Sequence, residues 1–193
     1  MKNLIKALLT AKEFSVNRFY NYLKSQGLKV SKNAVYNYLE YLEDAFFVFP
    51  LRKLSFSYKK SEQSLPKIYF VDNGLLKINS IDDKGRLMEN LVFIELLRRG
   101  CDISYYQTPT GEEIDFVIKK GKTVKELIQV SYNLGNFMTW QRELNSLIKA
   151  SKKFMCNNLV IITRDEEKEE KLKGKKVRII PLWKWLLQTS NNL

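Results

Sequence analysis

The 193-residue sequence predicts an α/β chain, α+β overall, in two parts: a mainly helical module over residues 1–80 and an αβββαβ core on a mixed central sheet over residues 81–193. Two observations predict this division. Helical periodicity recurs three times before any strand-like run, and from Gly85 onward helical segments alternate with apolar strand segments. Composition supports folding throughout: apolar residues make up 45% and charged residues 28%, the balance of an ordinary globular protein.

In the first part the helical runs cover residues 3–11, 15–26 and 31–44. The third opens on Ser31, whose hydroxyl is suited to cap the free amides of a first turn, and Gly27 stands where a helix ends in a left-handed residue. Ala34, Val35, Tyr38, Leu39 and Leu42 form one stripe of the third helix and are expected in the core. Lys32, Asn33, Tyr36 and Asn37 fall on the other side, near its start. The run 45–52 is strand-like, and a second strand, 67–71, follows the polar span 55–64. Three helices and two strands around a basic loop predict a winged helix-turn-helix. Its exposed helix face, Lys32, Asn33, Tyr36 and Asn37, is what a recognition helix offers to a groove. Arg52, Lys53, Lys59 and Lys60, with Lys32, are placed to meet phosphates, a role that needs no exact geometry. The same fold also serves elsewhere as a protein-docking module.

The second part predicts a helix at 86–99, strands at 103–107, 112–119 and 124–132, a helix at 137–153, and strands at 158–163 and 176–180. Residues 158–163 are nearly all apolar after Asn158, as a strand covered on both faces requires, so this strand is expected at the centre. The charged span 165–176 predicts a solvated connector. The stretch 181–187 begins on a helix-starting proline, with Trp183 and Trp185 expected to pack on the sheet.

Charge points to a partner class. Lys and Arg number 33 against 21 Asp and Glu, a formal +12 with no histidine, and residues 1–80 hold 13 basic against 6 acidic side chains. A polyanion, DNA above all, is the natural partner of such a surface, although solubility alone also explains an excess of lysine. Cys101 and Cys156 lack metal-ligand spacing and are expected as reduced, core cysteines. Residues 1–9 are amphipathic rather than signal-like, and no apolar run approaches the roughly 20 residues of a membrane helix, so a cytoplasmic protein without membrane contact is expected.

Several segments then carry a resemblance: Tyr38-Leu39-Glu40-Tyr41-Leu42-Glu43-Asp44-Ala45, Lys67-Ile68-Tyr69-Phe70-Val71-Asp72-Asn73-Gly74-Leu75, Gly85-Arg86-Leu87-Met88-Glu89-Asn90, Gly111-Glu112-Glu113-Ile114-Asp115-Phe116 and Pro181-Leu182-Trp183. In this order and spacing they resemble the C-terminal region that follows the ATPase module in a prokaryotic, especially archaeal, family of AAA+ ATPases. The resemblance implies a winged helix followed by a restriction-endonuclease-like, PD-(D/E)XK domain of unknown function. In active nucleases of that fold a helix Glu, a strand Asp and a Glu-X-Lys on the next strand hold a divalent ion that activates water. Carried over, these positions are Glu89, Asp115, Gln129 and Ser131, so two of the four are altered. Gln129 keeps a neutral oxygen but loses the negative charge, and Ser131 lacks the lysine's cation. Glu126 is at odd offset from Gln129 and is expected on the opposite face, whereas Glu113 shares a face with Asp115 and leaves a weakened two-carboxylate metal site open.

The expected function is therefore a non-catalytic DNA-binding or interaction region with a degenerate nuclease-like fold. One alternative is a nuclease that uses Glu89, Asp115 and Gln129 with Mg²⁺ or Mn²⁺; otherwise Glu89 braces the sheet and Asp115 bonds neighbouring amides. Another is an interaction module, with a partner protein such as an ATPase encoded elsewhere or a second copy, using a face around Phe137, Trp140 and Leu144. No Gly-X-X-X-X-Gly-Lys-Ser/Thr string occurs, so ATP hydrolysis is not expected of this chain.

Overall fold

Ser15 and Ser31 each stand just ahead of an apolar periodic run, and each becomes a helix cap. Their hydroxyls accept the amides of Arg18 at 3.3 Å and Ala34 at 3.1 Å. These helices belong to a computed structural model that describes residues 1–55, 57, 59, 61, 64–78, 83–108, 110–135 and 137–188, with the backbone alone at 137. The chain is mixed α+β and divides into two units, Met1–Asp82 and Asp83–Leu193.

In the first unit α1 (Lys2–Thr10), α2 (Val16–Ser25) and α3 (Lys32–Asp44) turn Leu4, Leu8, Phe19, Leu23, Val35, Leu39 and Leu42 into a common core. Gly27 ends the turn after α2 at φ +72°, a conformation in which a side chain would be strained. Tyr38 departs from expectation: it is exposed at 37%, at the margin of the buried stripe and not within it.

The strand expected from residue 45 begins later. Helix α3 closes through Phe46 N–H to the Glu43 carbonyl at 2.8 Å and Phe47 N–H to the Leu42 carbonyl at 2.9 Å, so residues 45–47 complete the helix end. The strand β1 (Val48–Leu51) then pairs antiparallel with β2 (Lys67–Phe70), from Val48 opposite Phe70 to Leu51 opposite Lys67. Residues 12–14 join this ribbon. The Ile68 amide donates to the Lys12 carbonyl and the Phe14 amide to the Pro66 carbonyl, both at 3.0 Å. A short helix, α4 (Asn73–Ile78), follows.

The second unit opens on α5 (Lys84–Arg98), capped by Asp83 Oδ1 on the Arg86 amide at 3.0 Å. Then come β3 (Asp102–Gln107), β4 (Glu113–Lys120), β5 (Thr123–Ser131), α6 (Phe137–Phe154), β6 (Leu159–Thr163), β7 (Lys168–Leu172), β8 (Lys175–Pro181) and α7 (Leu182–Leu186). The six-stranded sheet has the order β3-β4-β5-β6-β8-β7. β5 with β6 and β6 with β8 are parallel; the other pairs are antiparallel. All five residues of β6 are buried, as its unbroken apolar run demands.

Three expectations are corrected here. The charged span after β6 is not merely a connector, since residues 168–172 form an edge strand paired with β8. The turn between them is Lys173-Gly174, with φ +50° and +76°, the two left-handed residues that a tight hairpin requires. Trp183 is 59% exposed, and only Trp185 packs inward. Arg99, with a side chain 3% exposed, lies over the Trp185 ring at 4.3 Å, pairs with Glu95 at 2.6 Å and donates to the carbonyls of Trp185 and Leu186 at 3.0 and 3.4 Å. Lastly, Leu144 is buried and Trp140 is half-buried beneath Lys168, whose ammonium sits 4.2 Å from the ring centre. The exposed face expected from Phe137, Trp140 and Leu144 is therefore not formed by the latter two; the side chain of Phe137 lies outside the described residues. Cys101 is half-buried and Cys156 buried, both as free thiols. Among the described residues, no helix is long and apolar enough to cross a membrane.

Candidate functional site

Strands β4 and β5 pair from Lys120 and Thr123 up to Phe116 and Ile128, and the register stops there. Beyond that point side chains take over from the ladder. The Asp115 amide donates to Gln129 Oε1 at 3.1 Å, the Val130 amide donates to Asp115 Oδ2 at 2.9 Å, and Gln129 Nε2 donates to the Glu113 carbonyl at 3.1 Å. Gln129 Nε2 also meets the carboxylate of Glu143 on α6. Glu143 in turn receives the Arg142 guanidinium at 2.7 Å. Asp115, Gln129, Ser131 and Glu143 are all buried, and the Ser131 hydroxyl donates to the Asn133 carbonyl at 3.3 Å.

Asp115 Oδ2, Gln129 Oε1, the Glu113 carbonyl and both Glu143 carboxylate oxygens thus each answer a donor, as burial requires. The Arg142 cation is held above its ordinary range by its hydrogen bond to Glu143, then by the charges of Glu143 and, more weakly, Asp115. Glu143 was missed by sequence reasoning, yet a signal was present. It shares the α6 stripe of Ser146, Leu147, Ala150 and Phe154, all buried, so a carboxylate stands at a position that faces the core.

Alternation along the strands separates the candidate residues. Phe116 packs on Phe93 of α5, with ring centres 6.4 Å apart, so α5 covers the Phe116 face of the sheet. Asp115 and Gln129 point to the other face, where α6 supplies Glu143. Glu89 is carried by α5 and is half-buried there, so the structure places its helix on the opposite face from the Asp115–Gln129 pair. Glu113 alternates to the same face as Asp115 and is half-buried, with its carbonyl engaged by Gln129. Among the described residues, no three His, Cys, Asp or Glu side chains gather as a metal-holding group. Glu126 lies on the α5 face, where it accepts from Asn158 Nδ2 at 2.9 Å and Arg178 Nη2 at 3.4 Å. Burial pushes its carboxyl above the usual range, opposed by the Arg178 charge and the Asn158 hydrogen bond.

The first unit presents the second group of candidates. Lys32, Asn33, Tyr36 and Asn37 are all exposed on the first two turns of α3, with the Lys32 ammonium 5.9 Å from the Tyr36 ring centre. Lys59 is exposed, whereas Arg52 and Lys53 are half-buried. Arg52 has a local role as well: burial raises the Glu43 carboxyl above its usual range, and the Arg52 charge opposes that rise. Lys60 lies outside the described residues.

Comparison with known proteins places the chain among uncharacterised relatives. An uncharacterized protein of Methanocaldococcus jannaschii is 40% identical over 189 residues, which cover 93% of this chain and 42% of that protein. An uncharacterized protein of Haemophilus influenzae is 27% identical over 176 residues, 89% of this chain and 41% of that one. The chain therefore spans about two-fifths of the length of these curated relatives. Among solved structures, a half-complex of Thermococcus gammatolerans McrB AAA+ hexamers with bound McrC is similar over 78% of this chain and 41% of that chain, at 14% identity and a TM-score of 0.35. Residues 3–84 match the domain of unknown function DUF8612. Residues 84–185 match the domain of unknown function DUF4143, and over that half of its length the chain belongs to the DUF4143 family.

Proposed function

We propose that the chain is a DNA-binding region of winged-helix type joined to a restriction-endonuclease-like unit that has lost catalysis, and that it serves an ATPase, in the same polypeptide or as a separate partner. One observation carries the DNA-binding reading: the first two turns of α3 expose Lys32, Asn33, Tyr36 and Asn37, with no acidic side chain in the first turn, in a chain of net charge +12. A cation, two amides and a phenol on adjacent turns of one helix can meet phosphates and base edges at once. Lys59 adds a sequence-independent contact from the segment between the strands of the ribbon.

Loss of catalysis is supported by how Asp115 and Gln129 are used. A Mg²⁺ or Mn²⁺ site needs carboxylate oxygens free to turn toward the ion. Here Asp115 Oδ2 and Gln129 Oε1 accept backbone amides, Ser131 replaces the expected lysine, and Glu89 rides on the helix of the other face. The donor set does not fit the ion, and these residues act as a splint between two diverging strands.

The test is fluorescence anisotropy of the full chain with double-stranded DNA across a salt series, with strand length scored in Mn²⁺. Binding should weaken steeply with salt, and Lys32→Ala should weaken all sequences alike and lower the salt slope by about 1. Absence of binding at low salt refutes the DNA-binding reading. Cleavage in Mn²⁺ that disappears in Asp115→Ala refutes the loss of catalysis.

A further inference from the structure

Helix α3 carries its charges the wrong way round. A helix favours anions at its N-terminus and cations at its C-terminus. Helices α2, α4, α5, α6 and α7 follow the cation half of this rule with Lys24, Lys77, Arg98, Lys152 and Lys184 in their last turns, whereas α1, like α3, opens on a lysine and has no basic residue in its last turn. Helix α3 instead opens on Lys32, ends on Glu43 and Asp44, and has no basic residue in its last turn. The stretch from Asn33 to Leu51 holds three acids and no Lys or Arg, in a chain with 33 basic residues.

The end of α3 carries a second anomaly. Phe46 takes the left-handed position after the helix, with φ +54°, and its ring is 68% exposed. At the corresponding place after α2 stands Gly27. A large apolar side chain in this conformation is strained, and mostly in water, with its ring centre 6.4 Å from that of Phe49, it gains little from burial. Tyr36 and Tyr41 on the same helix are exposed at 48% and 57%, and tyrosine is a residue type enriched at interfaces.

The charge order of α3 is met by one arrangement. We propose that α3 pairs antiparallel with α3 of a second copy of this chain, about a twofold axis that passes between Tyr36 and Glu40. A twofold contact must be self-complementary, and the exposed face of α3 is. Lys32 of each copy then faces Asp44 of the other, Tyr36 faces Glu40, and the Asn37 amides flank the axis. Each helix end then meets a charge of the opposite sign, which at the C-terminal end adds to the Arg52 charge already acting on Glu43.

The pairing needs no DNA, but it covers Lys32, Asn33, Tyr36 and Asn37. If the proposed DNA-binding reading holds, a second copy and DNA exclude one another, and self-association holds the helix in reserve.

The experiment is sedimentation of the full chain at low salt and without DNA, over a concentration series from micromolar to millimolar. The parent chain should form a dimer. Lys32→Asp and Asp44→Lys should each weaken it by at least about tenfold, because each turns two symmetry-related attractions into repulsions. Carrying both changes in one chain should restore association. Either single change puts the favoured sign at its helix end, so lost association cannot be traced to an unfolded α3. A parent chain that stays monomeric throughout, single variants that associate normally, or a double variant that does not recover would each overturn the pairing. DNA binding is read separately. Asp44→Lys should keep or strengthen it while losing the dimer, so failure of the DNA reading and failure of the pairing give different results.

Discussion

Gln129→Glu restores the residue that an active member of the wider nuclease group would carry, and the structure predicts that it damages the fold. Gln129 Nε2 donates to the Glu113 carbonyl and to the buried Glu143 carboxylate. The substitution puts a carboxylate oxygen where that donor stood. Two unit charges about 3 Å apart repel by about 5 kcal/mol at an effective dielectric constant of about 20. A hydrogen bond to a charged group, worth about 1.5–3 kcal/mol, is lost as well. Part of this is relieved when one carboxyl of the pair takes up a proton, at about 1.4 kcal/mol for each unit by which its pKa must rise. The net loss should be about 2–4 kcal/mol near neutral pH, and it should shrink as pH falls and the shared proton becomes easier to bind. Thermal unfolding of both proteins at about pH 7.5 and about pH 5, with and without Mn²⁺, measures this. A variant as stable as the parent near neutral pH would refute the splint. A variant stabilised only by Mn²⁺ would mean that the three carboxyls can open to hold an ion.

Three more expectations follow from single side chains. Phe46→Gly should raise the stability of the monomer by about 0.5–1 kcal/mol, because relief of the left-handed strain outweighs the extra freedom of glycine in the unfolded chain; denaturant unfolding that shows a loss would refute the strain. Arg99→Ala should cost about 3 kcal/mol or more, since it strips a buried partner from Glu95 and two carbonyls of the α7 end, and a shift in the melting temperature reports it. Glu126→Gln should stabilise the chain near neutral pH. Its sign follows from linkage: burial raises the folded-state pKa of Glu126, so its contribution is best when protonated and is lost as pH rises from the unfolded carboxyl value through the folded one. The gain from glutamine should therefore be smallest at about pH 4 and largest at about pH 8, and unfolding free energies measured at both check it.

Sequence periodicity located every element whose apolar pattern is strong. Ser31 and Gly27 bounded α3 and α2 because capping chemistry is local, and 159–163 announced a doubly covered strand because nothing polar interrupts it. What escaped was set by tertiary context. The strand β7 has no apolar alternation to betray it, because its pattern is one of charge. The early end of α3 replaced three residues of an expected strand because hydrogen bonds at a helix terminus won over the β-propensity of Phe46 and Phe47. In the candidate site, the strand positions of Asp115 and Gln129 were legible from the resemblance. The donor and acceptor duties they perform depend on where the two strands part, and α6 brings Glu143 from a distant stretch of chain.

The edge formed by β7 has a consequence for how this protein behaves in crowded solution. An outermost strand offers unpaired amides and carbonyls to any other extended chain, and an apolar one invites stacking into aggregates. β7 reads Lys-Glu-Glu-Lys-Leu, with Lys168, Glu169 and Lys171 exposed. An incoming strand would have to strip water from closely spaced charges of both signs before its first hydrogen bond formed. Replacing Glu169 and Lys171 by valine would leave the hairpin with β8 intact and raise the propensity of that edge to recruit further strands. The charges that hide β7 from a search for apolar alternation are the ones that guard this edge of the sheet.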